Sequence, residues 1–174
     1  MKPPTTTSDS ISVCKSPGNP VATEELSAAM TKRMETLAKV IRGELPAPPV
    51  ARLIGFRLTS VRRGEAVVEL EASGSHANPM GTLHGGILCD IADAAMGIAY
   101  ATTLADDESF TTLELKINFL RPVWNDKLVA VGKVVQGGKT VGLAECDITN
   151  SKGALVARSS CTCMTLRGDM ALGR

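Results

Sequence analysis

The spacing of apolar residues changes along the chain, and each change predicts an element. Residues 1–22 have no period; Pro, Thr, Ser, Gly and Asn dominate, the composition of a disordered tail. From Glu24 to Arg42, Leu26, Met30, Leu37 and Ile41 recur at helical spacing, with Met34 between them. Thr23 is a suitable N-cap for that helix and Gly43 a suitable stop. Pro46, Pro48 and Pro49 follow as a stiff connector, completing an N-terminal unit over residues 23–49. From Val50 the period falls to two. Strands are expected over Leu53–Ser60 and Glu65–Ala72, joined by a turn at Arg62-Arg63-Gly64. Further strands are expected over Phe110–Phe119, Lys127–Val135, Val141–Thr149 and Ala154–Leu166. In the first of these, strict alternation puts Leu113, Leu115, Ile117 and Phe119 on one face. Thr112, Glu114, Lys116 and Asn118 fall on the other.

Between the two groups of strands, Ile87 to Thr102 is apolar and small on every side. That is the pattern of a helix buried all round. Its start is set by a turn-like run, Asn78-Pro79-Met80-Gly81-Thr82-Leu83-His84-Gly85-Gly86. Strands joined by short turns imply an antiparallel sheet, so the fold class is α+β. The domain spans residues 50–168, and its sheet must curl around the helix of residues 85–102. Two acids, Asp90 and Asp93, break the apolar pattern of that helix. A buried carboxylate is costly unless something satisfies it or uses it.

Composition narrows the function. The formal net charge is +1 and no basic block stands out, so nothing marks a nucleic-acid surface. No apolar run is long enough to span a bilayer. The five cysteines, an odd count, read as reduced and structural, which places the protein in the cytoplasm. Cys161 and Cys163 share one face of a strand, but no second pair lies at metal-ligand spacing. With two histidines, His76 and His84, a histidine metal site is not expected. Gly137-Gly138-Lys139-Thr140 lacks the upstream glycine of a phosphate loop and joins two strands.

The chemistry concentrates at the helix. If it starts near Gly85, the Gly85 and Gly86 N–H groups are unpaired donors at the positive end of its dipole. Such donors suit a developing oxyanion. A carboxylate would complete an acyl-transfer site, and Asp93 or Asp90 could supply it; spacing alone does not choose. Asp93 follows Gly85 by eight residues, which at helical rise is ~12 Å. One helix therefore cannot place both groups on one carbonyl. A second copy running antiparallel can, which implies a dimer with two shared sites. Asn78 could hold water or the substrate carbonyl, or simply shape the turn. His84 fits a turn-holding role better than that of a base.

Asn78, His84, Gly85, Gly86 and Asp93 together resemble the signature of hotdog-fold acyl-CoA thioesterases of the PaaI-like group. The run Leu113-Glu114-Leu115-Lys116-Ile117-Asn118-Phe119-Leu120-Arg121-Pro122 resembles that family's next strand. The resemblance implies an antiparallel sheet wrapped around the central helix, with protomers paired into a continuous sheet, commonly as a dimer of dimers. It implies hydrolysis of an aryl- or fatty acyl-CoA with no cofactor beyond the CoA of the substrate. Asp93 would act as base or nucleophile. Gly85 would polarise the carbonyl, Asn78 would place water or carbonyl, and His84 would orient the turn. An assisting hydroxyl would come from Thr112, with Thr111 as the alternative. Gly86 lies beside the donor. Arg121 and Lys139 are candidates for the CoA phosphates on charge and position. A hotdog hydratase and a non-catalytic acyl-CoA-binding protein are the competing functions.

Overall fold

A computed structural model describes residues 31–173. The expected tail and the Thr23 cap lie outside the described residues. Helix α1 spans Lys32–Ile41, and the part of the expected helix over residues 24–30 lies outside the described residues. Thr31 is extended at φ −60° and ψ 152°, and its hydroxyl accepts from the Met34 N–H at 3.3 Å. Met34, Leu37 and Ala38 turn one half-buried face of α1 inward, and the helix packs on the first strand.

The proline connector is shorter than expected. Pro49 opens a second helix, α2 (Pro49–Ile54), ended by Gly55 at φ +91°. The strand expected from Leu53 therefore starts only at Arg57. Proline suits the first helical turn, where its missing N–H is no loss. Burial of Ala51 and of Phe56 just beyond it then anchors the segment.

The sheet comprises β1 (Arg57–Arg62), β2 (Glu65–Ala72), β3 (Ser109–Phe119), β4 (Asp126–Gly137), β5 (Val141–Asn150) and β6 (Leu155–Leu166). All pairings are antiparallel, in the order β1-β2-β4-β5-β6-β3. The inner face is the expected alternating set: Ala66, Val68, Leu70 and Ala72 on β2, and Ala144, Cys146 and Ile148 on β5. Among the described residues the outer edge of β3 has no partner strand.

Helix α3 (Gly85–Ala101) lies in the hollow of this sheet, burying Leu88, Ile91, Ala92, Ala95, Met96 and Tyr100. Contact is closest at Gly132 of β4, where a Cβ would sit 2.4 Å from the Ala95 carbonyl carbon and oxygen. Helix backbone and strand backbone touch there with no side chain between them. The Tyr100 hydroxyl pairs with Thr165 Oγ1 at 2.8 Å, and its ring meets Phe110 edge-on at 5.7 Å. The helix is not buried all round. Asp90 and Asp93 are exposed in the single chain, and Ile87, Cys89, Ala94 and Ile98 are only half-buried. These residues leave part of the helix uncovered.

Regular alternation fails at one point in β3. Thr112 pairs with Cys163 and Glu114 with Thr162, so Leu113 is an extra residue in a β-bulge. Leu113 is 53% exposed instead of packing beside Leu115. On either side of the bulge, Thr112 and Leu115 oppose the buried Cys163 and Cys161 and face the helix. Thr112 thus lies on the inner face, the reverse of what alternation predicts.

Gly132→Ala is expected to lower the unfolding temperature sharply or prevent folding, since neither backbone can yield without moving the sheet. Gly137→Ala, with open space around it, should change stability by no more than ~0.5 kcal/mol. Thermal unfolding of the two variants makes the comparison.

Candidate active site

The loop before α3 is closed on itself by Asn78. Its Oδ1 accepts the N–H groups of Met80 at 2.9 Å and Thr82 at 3.3 Å. Its Nδ2 donates to Thr82 Oγ1 at 2.9 Å. Gly81 completes the turn at φ +81°, a conformation that favours glycine. The loop is tied to its surroundings by Leu83 N–H to the Val123 carbonyl at 2.7 Å, and by His76 Nε2 against the Ile54 carbonyl at 2.9 Å.

His84 is the N-cap of α3. Its Nδ1 accepts the Gly86 N–H at 2.9 Å, so that nitrogen carries no proton. Gly86 lacks a side chain for a local reason: a Cβ there would lie 2.8 Å from the same Nδ1. The Gly86 N–H is thereby taken up inside the protein and is not offered to a ligand. The Gly85 N–H has no partner among the described residues and points out of the first turn of the helix. This donor borders an open cleft of about 390 Å³ whose lining includes Asn78, Thr82, Leu88, Phe119 and Arg121. The Phe119 ring covers the Gly85 Cα, where a Cβ would meet ring carbon Cζ at 2.9 Å. Phe119 is the residue that sequence reasoning missed. The only signal for it was its place at the end of the strand before Arg121-Pro122.

Two turns along the helix, Asp93 Oδ1 accepts the Thr112 hydroxyl at 3.0 Å. The structure therefore brings Asp93 and Thr112 together. Thr111 pairs with Met164 and faces the other side of the sheet. Asp90 also projects from the exposed flank of α3. Partial loss of solvent around the carboxyl first, and the negative charge of Asp93 second, raise it above the usual range although the residue as a whole is exposed. Asp93 is the acid that has a hydroxyl donor.

The remaining candidates are spread out. Arg121 stands at the Gly85 end of β3. Lys139 lies in the exposed β4–β5 turn, its carbonyl accepting from Arg167, near the opposite end of β3. Within the chain the structure joins Asn78, Thr82, Gly85 and Arg121 as one group and Asp93 with Thr112 as another. A helical rise of ~12 Å separates the two groups.

The thioesterase superfamily model matches residues 80–157, which include the end of the loop, all of α3 and most of the sheet. A 1,4-dihydroxy-2-naphthoyl-CoA hydrolase of Listeria monocytogenes is 33% identical over 109 residues, 63% of this chain and 89% of that protein. Acyl-coenzyme A thioesterase PaaI of Escherichia coli is 33% identical over 109 residues, 62% of this chain and 75% of that one. The fold of the E. coli PaaI protein from the phenylacetic acid degradation operon superposes with a TM-score of 0.69 at 23% identity. That match covers 80% of this chain and 98% of the other. The fold and the helix-centred site thus define a hotdog protein, and the chain belongs to the thioesterase superfamily. Within it the chain is a PaaI-like hotdog thioesterase, a thioester hydrolase.

His84→Ala should cost about 1 kcal/mol of stability by removing the N-cap of α3, whereas His84→Asn should retain most of it. Urea denaturation midpoints of the two variants measure the difference.

Proposed function

We propose that this enzyme hydrolyses aryl- or medium- to long-chain acyl-CoA thioesters at two sites, each shared between two protomers. The observation that carries the reading is the split of the site. The free Gly85 donor and Asp93, the latter paired with Thr112 of β3, sit on one helix too far apart to serve one carbonyl, beside a strand edge without a partner among the described residues. Antiparallel pairing of β3 with its copy would continue the sheet. It would also bring the partner subunit's Asp93 toward Gly85 and cover the open flank of α3. The same pairing would place the Lys139 end of one β3 beside the Arg121 end of the other, so that both cations could meet the CoA phosphates. By name, the Listeria relative acts on a naphthoyl-CoA and the E. coli relative on acyl-coenzyme A, which supports a CoA thioester as substrate.

In this reading the Gly85 N–H and the dipole of α3 stabilise the oxyanion formed as water attacks the thioester carbon. Thr112 engages one carboxylate oxygen of Asp93, leaving the other to take the proton from that water. The C–S bond breaks, the CoA thiolate leaves and is protonated, and the acid is released. Asn78 and His84 act by holding the loop and the first turn of the helix. With Nδ1 spent as the N-cap acceptor, the His84 ring carries its proton on Nε2 and cannot take one up as a base without giving up the cap, which counts against the hydratase alternative. Val135, Val141 and Leu143 expose apolar surface near the β4–β5 turn, which supports further association of dimers into a tetramer. The described cysteines, Cys89, Cys146, Cys161 and Cys163, are all free, which supports a reducing, cytoplasmic location.

Thiol release from a panel of acyl-CoAs tests the activity directly. Asp93→Asn should lower kcat by ~10³ or more with the fold intact, while Asp90→Asn keeps most of the turnover. Near-normal Asp93→Asn beside an inactive Asp90→Asn would reverse the assignment. Sedimentation analysis under assay conditions should find a dimer or tetramer. An active monomer would defeat the shared-site reading.

A further inference from the structure

Phe119 stands outside the core, yet it rests on the residue that carries the free donor. On the inner face of β3, Leu115 and Ile117 pack against the buried core. Phe119 is next in that row, opposite the buried Ala157 of β6, and is 54% exposed. Its backbone is held, because the N–H groups of Leu120 and Arg121 both donate to the Val156 carbonyl, at 2.8 and 3.2 Å. The side chain is the part that can turn. A large apolar ring left more than half exposed adds little to the core, so core packing does not account for it.

The ring meets Gly85 by its far edge. A Cβ on Gly85 would lie 2.9 Å from Cζ and 3.3 Å from both Cε1 and Cε2, and these three ring carbons would be its nearest neighbours. The Gly85 nitrogen is ~1.5 Å from the Cα that the ring covers. An oxygen accepting its N–H would sit ~2.9 Å from that nitrogen. An oxyanion on this donor therefore lies beside the ring edge. The ring takes the place of water on that side, and a hydrogen bond to a charged oxygen is stronger where the local dielectric is low. The edge is also the positive part of an aromatic ring, so it does not oppose the charge that develops. The buried Leu88 lines the same cleft from the helix side.

We propose that Phe119 shields the oxyanion of thioester hydrolysis: its ring keeps water from the Gly85 N–H as charge builds on the carbonyl oxygen. The inference rests on the reading of Gly85 as the donor in that reaction. The charge is small in the bound substrate and largest in the transition state, so loss of the shield lowers kcat more than it raises KM. The shield acts at the carbonyl, which every acyl-CoA shares, so the loss is the same for each acyl group. Glycine at position 85 is what admits the ring so close to the donor.

The test is steady-state thiol release by the full chain from a panel of acyl-CoAs. Phe119→Ala should lower kcat about tenfold, less than the ~10²–10³ that losing an oxyanion donor itself costs. KM should change little, and one factor should hold across the panel. Phe119→Leu keeps apolar bulk at the site and should recover most of the loss. Gly85→Ala is an independent check. It keeps the N–H, and its Cβ pushes the ring away, so it should reproduce the Phe119→Ala loss. In the double variant the two losses should not multiply, because both remove one contact. Thermal unfolding and sedimentation of each variant separate the shield from folding and assembly. Losses that multiply, that differ widely between acyl groups, or that fall on KM with kcat kept would overturn the proposal. So would a Phe119→Leu enzyme as slow as Phe119→Ala, or activity lost only where a variant unfolds or dissociates. The wild type separates the two levels. If it releases no thiol from any acyl-CoA, the proposed function and the inference fall together. Normal wild-type turnover beside an unchanged Phe119→Ala enzyme removes the inference alone.

Discussion

The structure depends on an apolar helix held against a sheet at backbone contact. At Gly132 nothing but van der Waals distance separates β4 from the Ala95 peptide of α3, and the buried side chains above and below lock that height. Everything that defines the site is measured from this contact. It fixes how far Asp93 stands from β3, and therefore that the hydroxyl of Thr112 reaches it. The ends of α3 are fixed separately. His84 satisfies one N–H at the start, and the Arg33 guanidinium donates to the carbonyls of Ala101 at 3.1 Å, Ala105 at 3.2 Å and Glu108 at 2.6 Å at the finish. A cation over the last turn of a helix also meets the negative end of its dipole. Helix α1 is thus tied to the opposite end of α3 from the Gly85 donor.

Most of this architecture is legible in the sequence because period and burial coincide. The central helix, β2, β4, β5 and β6 all follow from where apolar residues fall, with ends displaced by a few residues at most. The failures have specific physical causes. Helix α2 was hidden because Pro46, Pro48 and Pro49 look like a connector. Only the burial of Ala51 and Phe56, a tertiary fact, selects the helix. The Leu113 bulge was hidden because Phe110–Phe119 alternates well without it. No local signal says that one residue is to be left out of the pairing, and the choice is made by what β6 presents on the other side. The same bulge decides between Thr111 and Thr112, which motif spacing could not do.

The two acids show the limit of reading a helix in isolation. Their presence in an apolar run implies buried charge, yet in the protomer both are exposed. The inference to a conflict still holds, but its location changes. The conflict lies on the flank that a single chain leaves open, where charge and half-buried Ile87, Ala94 and Ile98 share one surface. An isolated chain would show water a mixed patch and an unpaired strand edge together, and exposed edges of this kind are commonly covered.

The glycines around α3 lack side chains for local reasons. Three of them mark close approaches, and each has a cause within the chain: the Phe119 ring over Gly85, the His84 ring over Gly86 and the Ala95 peptide over Gly132. Their lack of side chains is therefore explained before any ligand is invoked, and a glycine pair after a histidine is weak evidence for a binding site. The N–H groups carry more information. Gly86 spends its donor on His84, and Gly132 lies within the sheet ladder, opposite Ala66 and Cys146. Gly85 keeps its donor unspent at the positive end of a buried helix, beneath an aromatic ring that is 54% exposed and so has room to move. The case for acyl chemistry at this helix therefore rests on that one donor and on the Asp93–Thr112 pair, and much less on the glycines themselves.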